Sequence, residues 1–261
     1  MLLQDKTALV YGAGGAVGGA VARAFARNGA RVVLAGRNLA SLEKVSAVIQ
    51  AQGGRAESDA VDAVDGPAIE IQLSRIVERL GPINLMFNAI GWDDTQGQAL
   101  VDMEFDRFHG CVATGLRTWF LTGTAVARQM IRQGGGTILG ITANAARYPY
   151  AMVGGFGVAC AAVEHFLRQL AVETGPQGVR VCFVRSAGSP DAPGLQEVFR
   201  LQAKEKGIEF TELLREAGSG SPLRHLPSLD EVADAAVLLA SDLARGMTAT
   251  MANVTCGAQV D

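Results

Sequence analysis

The sequence is poor in several residues that mark specialised classes of protein. Its 261 residues include only four cysteines and eight prolines. The cysteines, none of which belongs to a Cys-x-x-Cys pair, are Cys111, Cys160, Cys182 and Cys256. Such separation predicts reduced, buried cysteines and argues against a disulfide framework or a zinc site. The 32 glycines follow no triplet period, which excludes a collagen-like chain.

Charge of one sign and long apolar runs are scarce as well. The formal net charge of −3 arises from 23 basic and 26 acidic residues, and neither sign is concentrated in one segment. This balance predicts no nucleic-acid partner and no membrane partner. The longest uncharged apolar run, residues 151–163, is shorter than the roughly 20 residues that span a bilayer. Since the first residues also do not resemble a signal peptide, we expect a cytoplasmic protein.

Short apolar runs rich in β-branched residues alternate with longer segments of helical periodicity. The runs that predict strands are residues 7–11, 31–35, 83–88, 136–142, 179–185 and 249–254. Strands that are apolar on both faces and separated by helices indicate a parallel sheet covered on both sides. The sequence therefore predicts a single doubly wound, Rossmann-type α/β domain over residues 1–261, with a mostly parallel sheet. Within residues 186–228 we expect a polar helical insert, from about 195 to 217.

A glycine-rich turn, residues 12–18, directly follows the first predicted strand. The spacing G-x-G-x-x-G fails because Val17 holds the third glycine position. A looser G-x-x-x-[GA]-x-G spacing fits through Gly12, Ala16 and Gly18. Glycines at this place let backbone N–H groups approach a pyrophosphate at a helix N-terminus. The turn predicts nucleotide binding, although such turns also serve plain helix–sheet packing.

Four segments, in order and at suitable separations, carry a family resemblance. They are the glycine turn, residues 87–91, residues 170–173 with 178–181, and residues 239–242 with Gly257. In these segments the chain resembles the short-chain dehydrogenase/reductase family, and the resemblance covers essentially all of it. It implies a mostly parallel seven-stranded sheet and an oxidoreductase that uses a nicotinamide cofactor and acts on a small carbonyl or alcohol substrate. The insert within residues 186–228 is then expected to cover the substrate.

The end of the second predicted strand bears on which cofactor is bound. An acidic residue there would accept hydrogen bonds from the adenosine ribose, but the sequence has Gly36 followed by Arg37. Glycine leaves room for the extra phosphate of NADP, and a guanidinium pairs with it bidentately, so NADP(H) is favoured over NAD(H). The alternative is that Arg37 is an ordinary surface arginine. With the positions that the resemblance adds, the predicted cofactor-binding residues are Gly12, Gly14, Gly15, Ala16, Val17, Gly18, Arg37, Asn38, Asp62, Ala63, Asn88, Ala89 and Ile90.

The resemblance also implies where an Asn-Ser-Tyr-Lys catalytic set should stand. The chain has Ala143 at the serine, Phe156 at the tyrosine and Cys160 at the lysine. The asparagine position holds Gly115 or Val112. No alignment error hides the central pair, because none of the three tyrosines is followed by a lysine four residues on. A phenol with an ordinary pKa near 10 is a poor base without a nearby cation, so the family's usual proton chemistry is expected to be absent.

The loop that follows Ala143 offers substitutes for the missing proton donor. Tyr150 is the candidate, with Tyr148 beside it in sequence. Arg147 could serve as the cation and Asn144 could hold an oxygen atom. The alternative is that both tyrosines only pack against the loop.

Whether the chain is an enzyme therefore stays open in the sequence. One interpretation is an NADP(H)-binding oxidoreductase with an atypical site. Another is a catalytically silent family member that binds a nucleotide or ligand and acts as a partner subunit or sensor. A third is an enzyme of another reaction type in the same pocket. Small residues at 154–162 predict an oligomer interface, so we expect a homodimer or homotetramer. No histidine pattern supports a metal site.

Overall fold

The computed structural model describes residues 1–260, apart from the side chains of Val198, Leu201, Gln202 and Glu205. Seven strands form one sheet in the order β3-β2-β1-β4-β5-β6-β7, and every neighbouring pair is parallel. They are β1 Thr7–Tyr11, β2 Arg31–Gly36, β3 Arg55–Ala60, β4 Leu85–Asn88, β5 Gly136–Ala143, β6 Val179–Ser186 and β7 Thr250–Val254. The doubly wound, mostly parallel seven-stranded sheet predicted from the sequence is confirmed.

Eight α-helices in the described part of the chain connect and cover the strands. They are α1 Ala16–Arg27, α2 Leu39–Ala51, α3 Gly66–Leu80, α4 Phe105–Arg132, α5 Phe156–Thr174, α6 Pro193–Lys206, α7 Phe210–Ser219 and α8 Leu229–Ala240. Over the residues described, no helix combines the length and the apolar character that a membrane span requires.

Alternate residues of the strands point to opposite faces of the sheet and pack into two hydrophobic cores, one on each face. On one face Val10 and Phe87 pack in a core completed by α1, α2 and α8. On the other face Leu9 and Met86 pack in a core completed by α3, α4 and α5. Since successive side chains of a strand point to opposite faces, a central strand buried on both sides reads as a continuous apolar run. This is why the central strands are visible in the sequence.

Strand β3 gives no such apolar signal, because it lies at the edge of the sheet. It pairs only with β2 and consists of Arg-Ala-Glu-Ser-Asp-Ala. Glu57 and Asp59 form ion pairs with Arg79 and Arg75 of α3. A partly solvated edge strand tolerates charged side chains, which also discourage pairing with another chain.

The expected helical insert consists of two helices in place of one. Gly207, at φ 67°, follows α6 in the left-handed conformation and ends it, and α7 begins three residues later. Glycine is favoured at this place because it has no Cβ to clash. The segment before α6 is tied to the next element, since Asp191 accepts a hydrogen bond of 3.0 Å from the backbone N–H of Leu229 in α8.

The small residues near the start of α5 serve packing within the chain. A Cβ on Gly155 would lie 2.2 Å from the carbonyl oxygen of Phe108 in α4. A Cβ on Gly157 would lie 2.9 Å from the carbonyl oxygen of Ala145. Both glycines are therefore needed for close approach of this chain's own backbone. The expectation that residues 154–162 line an oligomer interface stays a prediction.

Candidate active site

A cleft of about 400 Å³ opens at the carboxyl ends of β1, β2 and β4. This is the edge at which doubly wound sheets bind ligands, because the strand order reverses there. The residues that line it are Tyr11, Gly12, Gly14, Gly15, Gly36, Arg37, Asn38, Ser41, Leu42, Val61, Asp62, Ala63, Val64, Ala89, Ile90, Gly91, Asp93, Thr114 and Thr118.

The glycine-rich turn forms the floor of this cleft by close backbone contact. Gly12 has φ 72°, and a Cβ there would lie 2.4 Å from the carbonyl oxygen of Ala89. A Cβ on Gly18 would lie 2.3 Å from the carbonyl oxygen of Gly12. Gly15 caps α1 and supplies no side-chain hydrogen bond, so the first N–H groups of the helix are not capped by a side chain. Such N–H groups and the helix dipole suit an anionic phosphate.

A cationic rim closes the cleft on the side of β2. Arg37 is exposed, and no carboxylate among the described residues forms an ion pair with it. Asn38 caps α2 by accepting a hydrogen bond of 3.2 Å from the backbone N–H of Ser41. The Ser41 side chain also reaches the cleft, and Gly36 contributes no carboxylate. The rim thus presents an unpaired guanidinium, an amide and a hydroxyl at a helix N-terminus.

Nine of the thirteen predicted cofactor residues line the cleft, and four do not. Ala16, Val17 and Gly18 lie in the first turn of α1, behind the lining glycines. Asn88 is buried, donates to Oγ1 of Thr122 at 3.0 Å and accepts from the backbone N–H of Ile90 at 2.9 Å. Its side chain therefore holds the loop after β4 in place.

Sequence reasoning missed other residues of the cleft. Ser41 had a detectable signal, because an Asn three residues ahead of a Ser at a helix start is an N-cap pattern. Thr114 and Thr118 lie one turn apart on α4, and nothing local marks them as lining residues. Tyr11 also lines the cleft, but its hydroxyl points into the core, where it donates a hydrogen bond of 3.0 Å to Oε1 of Gln72. Burial raises the pKa of this phenol, so it is not a proton donor for the cleft.

The carboxyl end of β5 and the start of α5 carry apolar and sulfur side chains. Ala143 ends β5, and Phe156 begins α5 with its ring centroid 6.1 Å from that of Trp92. Cys160, one turn further, is buried, and burial raises the pKa of its thiol to about 12. On α4, burial and then the charges of Asp94 and Asp93 raise the pKa of Cys111 to about 11. Neither thiol is ionised near neutral pH, so neither is an activated nucleophile.

Both residues that could stand for the asparagine also lack a polar side chain. Val112 lies beside the start of α5, since a Cβ on Gly155 would lie 3.3 Å from its Cγ2. Gly115 lies under Trp92, and a Cβ there would be 3.1 Å from the indole ring. The indole Nε1 is itself buried with no hydrogen-bond partner in the described structure. This part of the site is therefore dominated by aromatic rings.

The loop after β5 brings together two of the residues that could replace the missing proton donor. Nδ2 of Asn144 donates a hydrogen bond of 2.7 Å to the hydroxyl oxygen of Tyr150. Tyr150 and Tyr148 are 49% and 46% exposed, so neither is a buried packing residue. An amide N–H directed at a phenol oxygen stabilises the phenolate and leaves the phenol proton free to be donated. Arg147 is exposed in the same loop.

A buried ion pair lies beneath this region. Glu164 of α5 accepts hydrogen bonds from Nε of Arg185 at 2.8 Å and from Oγ1 of Thr142 at 2.9 Å. Arg168 reaches the same carboxylate at 3.1 Å and places its guanidinium 5.2 Å from the centre of the Phe183 ring. Both Glu164 and Arg185 are almost fully buried. The carboxylate thus joins β5, α5 and β6 at the base of the site.

Comparisons with known proteins agree with this architecture. A family model described as enoyl-(acyl carrier protein) reductase matches residues 12–259. The chain belongs to the short-chain dehydrogenase/reductase family. It is 30% identical to L-rhamnose 1-dehydrogenase (NAD(P)(+)) of Azotobacter vinelandii, over 95% of this chain and 94% of the relative. It is 29% identical to 2,3-dihydro-2,3-dihydroxybenzoate dehydrogenase of Bacillus subtilis, over 94% of this chain and 93% of the relative.

A solved structure extends the match to the whole fold. A short-chain dehydrogenase/reductase from Burkholderia xenovorans superimposes with a TM-score of 0.87 at 29% identity, covering 99% of each chain. Members of this oxidoreductase family bind NAD(P)(H). The residues present here fit such a cofactor, because glycines at 12 and 18 let the turn close tightly and the N-terminus of α1 has no side-chain cap, so it is open to a phosphate.

Proposed function

We propose that this short-chain dehydrogenase/reductase binds NADP(H) and interconverts a small carbonyl and its alcohol. The observation that carries the proposal is the cleft, with an uncapped helix N-terminus at its floor and the unpaired Arg37 at its rim. Gly12, Gly14 and Gly15 would hold the pyrophosphate, and Arg37, Asn38 and Ser41 the phosphate of the adenosine ribose. Asp62 and Ala63 would lie beside the adenine, and Ala89 and Ile90 beside the neighbouring ribose. When bound, the cofactor supplies or accepts a hydride.

The cofactor part is tested by titrating the native protein with NADPH and with NADH. One charged contact contributes about 1.5–3 kcal/mol, which corresponds to roughly tenfold to hundredfold tighter binding of NADPH. Equal affinities would contradict the preference, and binding of neither would contradict the assignment of the cleft.

We infer that Tyr150 donates the proton, since Ala143, Phe156 and Cys160 carry no group that can. The hydrogen bond from Asn144 supports this role, because it holds the phenol oxygen and favours its charged form. The loop also lies directly after Ala143, at the position where the family resemblance implies a serine that holds the substrate oxygen. The helices of the insert, α6 and α7, would cover the substrate.

The proton donor is tested with NADPH and a panel of aliphatic, aromatic and sugar carbonyls. An enoyl thioester belongs in the panel because of the description of the matching family model. Tyr150→Phe should lower kcat by about 10²–10⁴-fold, whereas Tyr148→Phe, an equally exposed neighbour, should leave it unchanged. If the native protein binds NADPH tightly and oxidises it with no member of the panel, the silent, ligand-binding interpretation replaces the enzymatic one.

We further propose that the protein is a cytoplasmic homodimer or homotetramer, with an interface on the outer faces of α4 and α5. Phe120 is 57% exposed there, and its ring centroid lies 6.0 Å from that of Phe166. An exposed aromatic pair is a usual centre for an interface. Phe120→Arg should reduce the mass measured by light scattering, and the control Val101→Arg, at an exposed position elsewhere, should not. A monomeric native protein at micromolar concentration would contradict the assembly.

A further inference from the structure

Three potential metal ligands meet at a place remote in sequence from the cleft, where the C-terminal segment packs against the loop before α8. His225, Glu231 and Cys256 each offer one ligand atom, and these atoms lie within 4.8 Å of one another. Nε2 of His225 lies 3.8 Å from Oε1 of Glu231. Nδ1 and Nε2 of the same ring lie 3.6 Å and 3.9 Å from Sγ of Cys256. In a tetrahedral zinc site with ordinary bond lengths, the ligand atoms lie about 3.4–3.6 Å apart. A rotation of the imidazole ring together with an inward movement of the ligand atoms would therefore bring three ligands to one ion.

Hydrogen bonds hold two of these ligands in place. Nδ1 of His225 lies 3.0 Å from the carbonyl oxygen of Leu226, and in the tautomer that donates this bond Nε2 is left with its lone pair. Oε2 of Glu231 accepts from the backbone N–H of Ser228 at 2.7 Å and from its hydroxyl at 3.0 Å, which leaves Oε1 free. Outer hydrogen bonds of this kind fix the ring and the carboxylate of metal ligands.

The third ligand is held by the fold of the C-terminal segment. Cys256 is 8% exposed and has φ 54°, a left-handed conformation that is unusual for a residue with a side chain. Its carbonyl oxygen accepts a hydrogen bond of 3.2 Å from the backbone N–H of Leu223, which fixes it beside the loop that carries His225. The side chains of His225 and Glu231 are 47% and 45% exposed, so an ion can reach them from solvent.

We propose that Nε2 of His225, Oε1 of Glu231 and Sγ of Cys256 form a binding site for a divalent transition metal of the zinc type. Nitrogen, oxygen and thiolate ligands together suit zinc and leave a fourth position for water. The ion would tie the C-terminal segment to the loop between α7 and α8. Three residues beyond Cys256, Nε2 of Gln259 lies 3.5 Å from the carbonyl oxygen of Asn144, so this segment extends to the loop that carries Tyr150. The site does not depend on the proposed function of the cleft.

The proposal is tested by titrating chelator-treated native protein with Zn²⁺ and with Co²⁺. We expect one ion per chain and, with Co²⁺, the near-ultraviolet charge-transfer band of a cobalt–thiolate bond. Cys256→Ser should remove that band. His225→Gln and Glu231→Gln should each weaken Zn²⁺ binding by at least about 100-fold, because loss of an outer hydrogen bond alone costs 10–100-fold. His109→Gln, which changes an exposed histidine stacked on Phe105, is the matched control and should bind normally.

Two further measurements keep the test decisive if Cys256→Ser fails to fold. His225→Gln and Glu231→Gln alter exposed side chains, so their stoichiometry can be measured in folded protein. Hydrogen exchange of the native protein should slow in residues 221–226 and 255–260 when Zn²⁺ is added, and stay unchanged in the glycine-rich turn. Failure of the native protein to bind one ion per chain would overturn the proposal, as would unchanged affinity in both the His225 and Glu231 variants.

Discussion

The two ends of the carboxyl edge of the sheet differ in how they are built. At β1, β2 and β4 the edge is lined by backbone groups and small residues, with Arg37 free at the rim. At β5 and the start of α5 it is lined by Ala143, Phe156 and Cys160 over a buried ion pair. The first region has the form of a nucleotide site. The second region consists of packed apolar and sulfur side chains, as a hydrophobic core does.

This difference shows that binding and proton transfer depend on separate features of the fold. A phosphate site made of backbone N–H groups needs only the turn and small residues, so it survives many side-chain changes. Proton transfer needs one side chain with a suitable pKa at one place. A chain can therefore keep the phosphate site and replace the proton-transferring side chain without altering the sheet. The replacement proposed above is Tyr150, which accepts a hydrogen bond from Asn144 on the following loop.

The largest expected effect concerns the ion pair beneath the second region. Glu164→Gln removes the charge that Glu164 places against Arg185 while keeping the size of the side chain, so a buried guanidinium loses this carboxylate partner. Breaking one side of a buried pair costs about 3–5 kcal/mol of unfolding free energy. Denaturation by urea measures it. Glu216→Gln, which breaks the exposed pair with Lys206, should cost no more than about 1 kcal/mol, and an equal loss in both variants would contradict the buried pair's role.

The buried pair also illustrates what could be predicted from the sequence. The strands, the glycine turn and Arg37 were predictable because each depends on local spacing: a run of apolar residues, a glycine interval, a strand end. Glu164 and Arg185 are 21 residues apart on different elements, and their contact depends on how α5 lies on the sheet. The same holds for His225, Glu231 and Cys256, whose spacing matches no local motif. Edge strand β3 and the end of α6 at Gly207 were only partly predictable, since the local sequence of each gives a weak signal.

The second prediction concerns the proton chemistry of the β5–α5 region. Ala143→Ser, Phe156→Tyr and Cys160→Lys together would restore the serine, tyrosine and lysine that the family resemblance implies. In a Tyr150→Phe background, which lacks the proposed proton donor, the three changes should raise carbonyl reduction with NADPH by about 10²–10⁴-fold. Each change alone should do little, because the groups act as one unit. Cys160→Lys alone should also destabilise the fold, since it places an ammonium group in a buried position.

Steady-state rates of the Tyr150→Phe protein, with none, each one and all three of these changes, test this second prediction. Additive gains from the single changes would show that the groups do not cooperate. A protein with all three changes that is folded, binds NADPH and is no faster than Tyr150→Phe alone would show that the region differs from the family's site in more than these three side chains. Trp92, which packs on Phe156, would be the first residue to change next.

A smaller effect should appear at the rim of the nucleotide region. Arg37→Ala should weaken NADPH by roughly tenfold to hundredfold, or about 1.5–3 kcal/mol, and leave NADH nearly unchanged. The reason is that only NADPH carries the phosphate that a guanidinium can bind bidentately. Arg55→Ala removes the same charge from a surface pair with Asp5 remote from the cleft and serves as the control. If both variants weaken both cofactors alike, Arg37 acts through overall charge only.

The smallest effect separates binding from folding at a single residue of the rim. Asn38 both lines the cleft and caps α2 through the backbone N–H of Ser41. Asn38→Ala should cost about 1 kcal/mol of unfolding free energy, because the cap is lost. Asn38→Asp should keep the cap and the stability but weaken NADPH, since a carboxylate then faces the phosphate. Asp65→Ala removes the equivalent cap of α3, outside the cleft, where Asp65 accepts from the backbone N–H of Ala68 at 3.0 Å. The Asp65→Ala variant should lose as much unfolding free energy as Asn38→Ala and bind NADPH normally. An Asn38→Asp variant that binds NADPH with native affinity would exclude a phosphate at this rim.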